Sequence, residues 1–125
     1  MSIYIRRKYA DWKGEVRCFT CYFVGPWKEL QAGHYKHKYL DFDEKNIHPQ
    51  CDVCNRWSYG RPGVYKQRLI QTYGEEHLTY LDEGVKKEKQ RIEKKGYAYT
   101  KAELEVKIED LTEKINVLER ISVLT

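Results

Sequence analysis

Four cysteines are the residues in this sequence with the clearest chemical capability, and they form two pairs of the pattern CxxC. Cys18 and Cys21 make the first pair, and Cys51 and Cys54 make the second, with 29 residues between the pairs. Two intervening residues let both thiolates of a pair reach one metal ion, and four thiolates complete the tetrahedral coordination of zinc. We therefore predict one structural zinc site without an open position. Two disulfides, another metal or a redox CxxC are the alternatives.

The segment enclosed by the cysteines carries further residues suited to catalysis. His34 and Asn46 lie within it, and Asn55 follows the second cysteine pair directly. The pattern predicts a strand that ends near His34, a second strand near residues 46–50 and a helix that begins around Cys51. In such a β-loop-β-α unit the hairpin and the helix face each other, so His34, Asn46 and Asn55 could converge.

These motifs resemble a known family. The run AGHY, the run LDFDEKNIHPQCDVCN and a later YKQRL are similar to the NinG (Rap) recombination endonucleases of lambda-like phages, which belong to the HNH superfamily. The resemblance covers about residues 15–80. It implies a small zinc-bound ββα-metal core, also called a His-Me finger. It also implies a metal-dependent DNA endonuclease that is selective for branched intermediates such as Holliday junctions and D-loops.

The resemblance assigns roles to individual residues. His34 corresponds to the general base that activates water, a task suited to an imidazole whose ordinary pKa is about 6.5. Asn46 corresponds to the asparagine that supports the loop and helps to orient the base. Asn55 corresponds to a ligand of the catalytic divalent metal, Mg²⁺ or Mn²⁺, which stabilises the scissile phosphate and the leaving oxygen. Asn55 could instead cap backbone groups beside the cysteines.

Gly33 departs from the family pattern, because many HNH nucleases have a metal-binding aspartate just before the base. A hard cation prefers carboxylate oxygen, which favours Asp43 or Glu44 as the replacement ligand. His48 is a further candidate and Asp41 a weaker one. His48 could equally be a hydrogen-bonded residue of the hairpin.

The charge distribution favours a polyanionic partner. The net charge is +4, but residues 102–125 carry six acidic and three basic side chains, which leaves +7 on residues 1–101. A basic body with an acidic tail fits DNA bound by the body, although a solvated surface of mixed charge is the simpler interpretation. The basic residues expected to contact phosphates are Lys36, Lys38, Arg56, Lys66 and Arg68.

Three segments organise the chain: a nuclease core at 1–60, a helical extension at 61–95 and a C-terminal helix at 96–125. Pro62 is predicted to open a helix that stops near Gly74, and a second helix continues to Gly96. Thr100 and Glu103 form a capping box for the last helix. The heptad seam of that helix comprises Leu104, Ile108, Leu111, Ile115 and Leu118. It would either form a homodimer through residues 104–118 or pack back on residues 75–95.

The sequence also predicts the compartment. No apolar run approaches the ~20 residues of a membrane span, and the N-terminal MSIYIRRK lacks the apolar stretch of a secretory signal. We therefore expect a cytoplasmic protein, in the host cell if it is phage-encoded, without membrane contact. The predicted fold class is α+β with helices after the core. Two other functions stay open: a non-catalytic zinc-finger DNA-binding or adaptor module, and a general HNH nicking endonuclease.

Overall fold

The computed structural model describes the backbone of residues 1–124 and the side chains of residues 1–121. Helices and two small antiparallel sheets make the fold α+β, as predicted. The first sheet pairs β1 (Glu15–Arg17) with β2 (Val24–Pro26), and the second pairs β3 (Gln31–His34) with β4 (Ile47–Gln50). The helices are α1 (Ser2–Lys8), α2 (Pro62–Tyr73), α3 (Glu75–Lys95) and α4 (Lys101–Leu124). A 3₁₀ turn at Glu44–Asn46 and a π-helical turn at Val53–Trp57 complete the fold.

The β3–β4 hairpin separates two packed regions. Its register pairs Gly33 with His48 and His34 with Ile47. Because side chains alternate along a strand, His48 and Ile47 lie on opposite faces, and both are buried. Ile47 packs with Tyr4 and Ile5 of α1, whereas His48 faces α2.

Three hydrophobic clusters form the core, and two of them join the three sequence segments. The first surrounds the cysteines with Val16 and Leu30. The second joins Leu40 of the hairpin loop to α2 and α3 through Tyr65, Leu69 and Leu81. The third joins α1 and β4 to α4. Burying a leucine-sized side chain contributes about 1.5–3 kcal/mol, so these shared clusters bind the helical segments to the residues around the cysteines.

Helical structure begins within two residues of Cys51, as predicted, but it does not continue into α2. A single helical turn, Val53–Trp57, follows the cysteine pair, and α2 begins only at Pro62. Tyr59, Gly60 and Arg61 have positive φ values of 55°, 83° and 48°, which a right-handed helix cannot include. Pro62 then opens α2 as predicted, because its ring presets φ and the first turn needs no N–H donor.

The remaining helix ends follow their local sequence signals. α2 stops before Gly74 and α3 before Gly96, whose φ is 83°. At the start of α4 the Glu103 N–H donates to Thr100 Oγ1 at 3.1 Å, and the Thr100 N–H donates to Glu103 Oε1 at 3.4 Å. The predicted capping box is therefore confirmed. Within residues 1–124 no helix is long and apolar enough to cross a membrane.

The heptad seam of α4 packs within the chain along part of its length. Leu111, Ile115 and Leu118 contact the cluster formed by α1 and β4, and Arg7 of α1 pairs with Glu119 at 2.9 Å. The predicted internal partner, residues 75–95, is therefore wrong for these three seam residues. Their partner is α1, a helix that was not predicted from the sequence. Ile108 of the same seam stays 60% exposed.

Candidate functional site

The four cysteines come together at one point between the two sheets. Their Sγ atoms all lie within 4.8 Å of one another, and the Cys21 and Cys51 sulfurs are 3.6 Å apart. A disulfide requires about 2.05 Å, whereas four thiolates about 2.3 Å from one zinc lie about 3.8 Å from each other. The cluster can therefore bind a structural metal such as zinc. The prediction that both CxxC pairs contribute to one site is confirmed.

Each cysteine pair lies in a tight turn that follows a strand. After β1, the Cys18 N–H donates to Phe23 O at 2.7 Å and the Tyr22 N–H donates to Cys18 O at 2.9 Å. After β4, the Asn55 N–H donates to Cys51 O at 2.9 Å. These backbone bonds fold each CxxC so that both sulfurs of a pair point to the same centre.

The pKa values of the cysteines indicate that a cation is needed to deprotonate all four thiols. Burial raises the pKa of Cys51 and raises that of Cys21 to about 12. Burial acts in the same direction on Cys18, but hydrogen bonds from the Thr20 hydroxyl and from backbone groups outweigh it and lower the pKa to about 6. Four sulfurs this close cannot all be deprotonated without a positive ion, because like charges oppose one another's ionisation.

His34 ends β3 with its ring half-buried. Burial lowers its pKa from the ordinary value of 6.5, and the Asp41 carboxylate and a hydrogen bond to the Asp41 backbone only partly oppose this effect. The imidazole is therefore neutral at pH 7 and able to accept a proton. Asp41 is the carboxylate that acts most strongly on this ring, although it was the weaker candidate in the sequence beside Asp43 and Glu44.

Asn46 is fully buried beneath the loop that follows His34. Its Oδ1 accepts the Lys36 N–H at 2.7 Å, and its Nδ2 donates to the carbonyls of Lys36 at 3.0 Å and Leu40 at 3.3 Å. One amide thus holds both ends of the loop formed by residues 36–40. The loop cannot move relative to β4 unless these bonds break.

Gln50 occupies the space beside Gly33. A Cβ added to Gly33 would overlap the side-chain carbonyl of Gln50, so this backbone accepts glycine alone without rearrangement. The Gln50 amide donates to Gly60 O at 2.9 Å and to the Thr20 hydroxyl at 3.1 Å. Its Oε1 is buried and has no hydrogen-bond partner among the described residues.

Asp43 and Glu44, the carboxylates predicted to hold a hard cation, have other partners. Asp43 Oδ1 accepts the Lys45 N–H, and its Oδ2 accepts the Tyr80 hydroxyl at 2.7 Å. Glu44 pairs with Lys8 and Lys114, each at 3.3 Å. Among the described residues, only the four cysteines form a group of three or more His, Cys, Asp or Glu side chains that could share a metal. The predicted ligands for Mg²⁺ or Mn²⁺ therefore do not assemble.

His48 is buried between the hydroxyls of two tyrosines, of which Tyr65 is buried and Tyr73 is partly exposed. The Tyr65 hydroxyl donates to Gly33 O at 2.8 Å and lies 3.0 Å from His48 Nδ1, while the Tyr73 hydroxyl lies 2.9 Å from His48 Nε2. Because the single Tyr65 proton goes to Gly33, Nδ1 carries the ring proton and Nε2 accepts from Tyr73. Burial lowers the pKa of His48 to about 3. Neither ring nitrogen is free to bind a metal.

Asn55 lies at the other end of β3 from His34. Its Nδ2 donates to Gln31 Oε1, and Gln31 Nε2 donates to Asp52 Oδ1 at 2.8 Å. Gln31 and His34 are three positions apart, about 10 Å along a strand, and point to opposite faces. The structure therefore does not bring Asn55 into contact with His34. The Asn55 Oδ1 atom makes no hydrogen bond to the described residues.

Comparison with known proteins assigns the chain to a family. Residues 3–114 match the family model described as Bacteriophage Lambda NinG protein. This chain belongs to the NinG family. The match extends beyond the 15–80 span of the sequence resemblance and covers most of α1 and more than half of α4. The buried residues of the third hydrophobic cluster, Tyr4, Ile5 and Ile47, lie within it. No solved structure is detectably similar to the chain.

Named relatives of the NinG family come from several phages. The ninG protein of Escherichia phage lambda is 34% identical over 115 residues, which cover 89% of this chain and 53% of the relative. The ninG protein of Salmonella phage P22 is also 34% identical, with the same coverage. That of Escherichia phage 933W is 33% identical and covered to 54%. The chain thus spans about half the length of these relatives.

The basic residues predicted to contact DNA have different environments in this NinG-family chain. Lys36 pairs with Asp82 at 2.6 Å and Arg56 with Asp52 at 3.4 Å. Lys38 and Lys66 are exposed and have no ion pair with the described residues. Arg68 is half-buried, and its guanidinium carbon lies 4.3 Å from the centroid of the Tyr22 ring.

Several residues around the site were not predicted from the sequence. Gln50 precedes the second cysteine pair, and Tyr65 and Tyr73 bind His48 from α2. Tyr65 and Tyr73 lie about two turns apart on one face of α2. This spacing could have predicted that both hydroxyls bind the same polar side chain.

Proposed function

We propose that this NinG-family chain is a DNA endonuclease of the HNH type, which hydrolyses phosphodiester bonds with His34 as general base. The observation that carries the proposal is a neutral, half-buried imidazole at the end of β3, followed by a loop that Asn46 holds in place. A general base must be unprotonated at the working pH and fixed in orientation. The proposal also includes the ββα-metal assignment of residues 31–73, with the helical turn at 53–57 inserted before α2.

His34 takes a proton from water while the water oxygen forms a new bond to phosphorus. The bond from phosphorus to the 3′ oxygen breaks, and that oxygen keeps the bonding electrons and takes a proton from solvent water. Asn46 acts through the loop, since it holds the backbone of Lys36 just beyond the base. A hard divalent cation such as Mg²⁺ or Mn²⁺ supplies charge stabilisation to phosphoryl transfer when bound. Asp43, Glu44 and His48 do not fit as its ligands, because each already binds other groups. We therefore assign no step to it.

The four-cysteine site has a structural role in this proposal. Zinc is the metal that best fits four thiolates in two CxxC turns. It would connect β1 to the end of β4, next to the hairpin that carries His34. With all four positions filled by sulfur, the ion has no place for water or phosphate, so it stabilises the fold and takes no part in hydrolysis.

Branched DNA is the proposed substrate, as the family resemblance implies. The net charge of +7 on residues 1–101 supports phosphate binding, with the exposed Lys38 and Lys66 as contacts. A four-way junction needs two symmetric cuts, which suits a two-fold dimer. Residues 104–118 remain a proposed dimer element through their exposed positions, of which Ile108 is one. A phage-encoded enzyme of this kind would act in the host cytoplasm.

A zinc-dependent DNA-binding adaptor without catalytic activity is the second candidate. It is favoured by one observation: the carboxylates near the hairpin are already paired, and the described residues contain no second metal-binding cluster. An adaptor would keep the cysteines and the basic surface but would not need His34.

One experiment separates these functions. The protein is incubated with matched four-way, nicked and linear DNA in the presence of Mg²⁺ or Mn²⁺, and His34→Ala is compared with the wild type. His77→Ala, which removes another half-buried histidine outside the hairpin, is the control. We expect junction cleavage by the wild type and His77→Ala, and a loss of at least ~10²-fold in His34→Ala with DNA affinity retained. Binding without cleavage supports the adaptor, and equal cutting of linear duplex supports a general nicking enzyme.

A further inference from the structure

A cleft of about 280 Å³ lies beside the first cysteine pair, between the turn after β1, the buried strand β4 and the helix α2. Four aromatic rings line it: Tyr9, Phe19, Tyr22 and Tyr73. The three tyrosines remain 38–49% exposed. The volume lies just below the ~300–1,000 Å³ of sites for drug-sized ligands. It suits one flat ring system and excludes a DNA duplex.

The floor of the cleft is aromatic and uncharged. The Phe19 ring stacks on His48 with the ring centroids 4.1 Å apart. Both nitrogens of His48 bind tyrosine hydroxyls, and burial lowers the pKa of the ring and keeps it neutral, so the ring offers only its face and edge to packing. A planar apolar group can therefore enter without a desolvation cost for a buried charge.

The rim of the cleft is positive. Arg17 and Arg68 lie 5.6 Å and 4.3 Å from the centroid of the Tyr22 ring, and no carboxylate lines the cleft. Neither arginine forms an ion pair with any residue that the structure describes. The Nε of Arg68 is buried and lacks a hydrogen-bond partner within the same described part. The terminal nitrogens of Arg68 donate to Gln71 Oε1 at 3.2 Å and to Thr20 O at 3.4 Å. An anion at this rim would therefore meet two guanidinium groups that no described acidic side chain neutralises.

Tyr22 is held in a backbone conformation that does not suit its side chain. Its φ is +67°, in the left-handed region where glycine is favoured and a bulky residue is an outlier. The ring does not gain full burial in return, since it is 49% exposed. The two arginines beside it are the contacts that orient this ring at the mouth of the cleft.

We propose that this cleft binds one unpaired nucleotide of DNA, with the base against the tyrosine rings and a flanking phosphate on Arg17 and Arg68. The inference rests on the proposed function to the extent that the ligand is DNA. Stacking on aromatic rings accepts any base, because every base has a π-face. The cleft therefore recognises an unpaired position and not a sequence, which would select branched over fully paired DNA.

The test compares a duplex carrying a five-nucleotide single-stranded tail, labelled with 2-aminopurine in the tail, with a fully paired duplex of the same sequence. Affinity and 2-aminopurine fluorescence are measured without added divalent metal, so that no cleavage occurs. We expect the wild type to bind the tailed DNA more tightly and to quench the label through stacking. Tyr22→Ala should lose at least about fivefold in affinity for the tailed DNA. Tyr97→Ala, an equally exposed tyrosine away from the cleft, should lose nothing.

Arg17→Ala provides a second variant on the surface strand β1, in case Tyr22→Ala disturbs the cysteine turn. It should weaken binding of tailed DNA and reduce the slope of log affinity against log salt by about one. Zinc content is measured for each variant. Equal losses of affinity for paired and tailed DNA would overturn the proposal. So would quenching of 2-aminopurine when the protein binds labelled single-stranded RNA but not labelled single-stranded DNA. Quenching without any cleavage activity would support nucleotide binding in the cleft and contradict the proposed endonuclease activity. Cleavage without quenching would support the endonuclease activity and contradict nucleotide binding in the cleft.

Discussion

The side chain of Asn46 binds the backbone of Lys36 in both directions, accepting its N–H at 2.7 Å and donating to its carbonyl at 3.0 Å. Lys36 lies two residues after His34, and Asn46 directly precedes β4. A single buried amide therefore connects the end of one strand to the start of the other. This contact makes the position of the proposed base depend on a residue 12 positions away in the sequence.

Replacing Asn46 with aspartate tests this dependence. Asn46→Asp keeps the shape and the acceptor but loses the donor, and it places a carboxylate against the carbonyls of Lys36 and Leu40. Leaving these buried acceptors unsatisfied costs ~1–3 kcal/mol, so the unfolding midpoint in urea should fall. Asn116→Asp, at an exposed position on α4, makes the same chemical change as a control. Equal midpoints for the two variants would show that Asn46 does not hold the loop.

The cysteine cluster predicts a defined metal content. Purified protein should contain about one equivalent of zinc, because four thiolates at these separations complete one tetrahedral site. Cys51→Ser should lose the metal and unfold residues 15–60, since binding energy of a structural zinc is also folding energy. Metal analysis and circular dichroism check both expectations. Two disulfides and no metal, found by thiol titration, would contradict the zinc assignment.

The sequence predicted best those features that depend on short-range signals. The CxxC pairs identified the shared site, because two-residue spacing constrains both sulfurs of a pair. Pro62, Gly74 and Gly96 marked helix boundaries through their own φ preferences. The capping box at Thr100 involves only residues within one helical turn. In each case the physical cause lies within a few residues of the position predicted.

Features that depend on tertiary contacts could not be predicted in this way. Asp43 and Glu44 lie close to His34 in sequence, but Tyr80 and Lys114, which bind them, come from α3 and α4. The helical spacing of α4 identified its apolar face and could not say that α1 covers it. The contact between Gly33 and the Gln50 side chain could not be predicted either, because it joins two different strands.

Two substitutions on α4 separate internal packing from dimer formation. Leu111 contacts the cluster of α1 and β4, so Leu111→Asp places a charge among apolar side chains and should destabilise the monomer by several kcal/mol. Ile108 is 60% exposed, so Ile108→Asp should leave the monomer almost unchanged and weaken only a dimer. Light scattering and urea unfolding measure the two effects. A wild-type monomer at all concentrations would remove the proposed dimer.

The buried state of His48 predicts an acid-sensitive fold. Its pKa is about 3 in the folded protein and 6.5 ordinarily, so the unfolded chain binds the extra proton between these pH values. The contribution of His48 to stability is therefore complete above pH 6.5 and is lost as the pH falls toward 3. The slope is up to about 1.4 kcal/mol per pH unit for one proton.

Nitrogen-detected NMR of the histidine rings reports His48 separately from the metal site, whose thiolates also take up protons in acid. At pH 5 its ring should still be neutral, with the proton on Nδ1, because the Tyr65 hydroxyl already donates to Gly33. A normal titration near pH 6.5 would show that the two tyrosines do not enclose this ring.

His34 gives the last prediction, which concerns how cleavage depends on pH. The base must be neutral, and burial lowers its pKa below 6.5, so activity should persist below pH 6.5 and decline only at more acidic values. Asp41 opposes the effect of burial, so Asp41→Asn should lower the pKa further and move the acidic limb to lower pH. Glu83→Gln, which removes an exposed carboxylate on α3, should leave the limb in place. Single-turnover cleavage across pH 5–8 measures the position of the acidic limb for each variant. If Asp41→Asn and Glu83→Gln give the same profile as the wild type, the group that titrates is not the ring beside Asp41, and His34 is not the base.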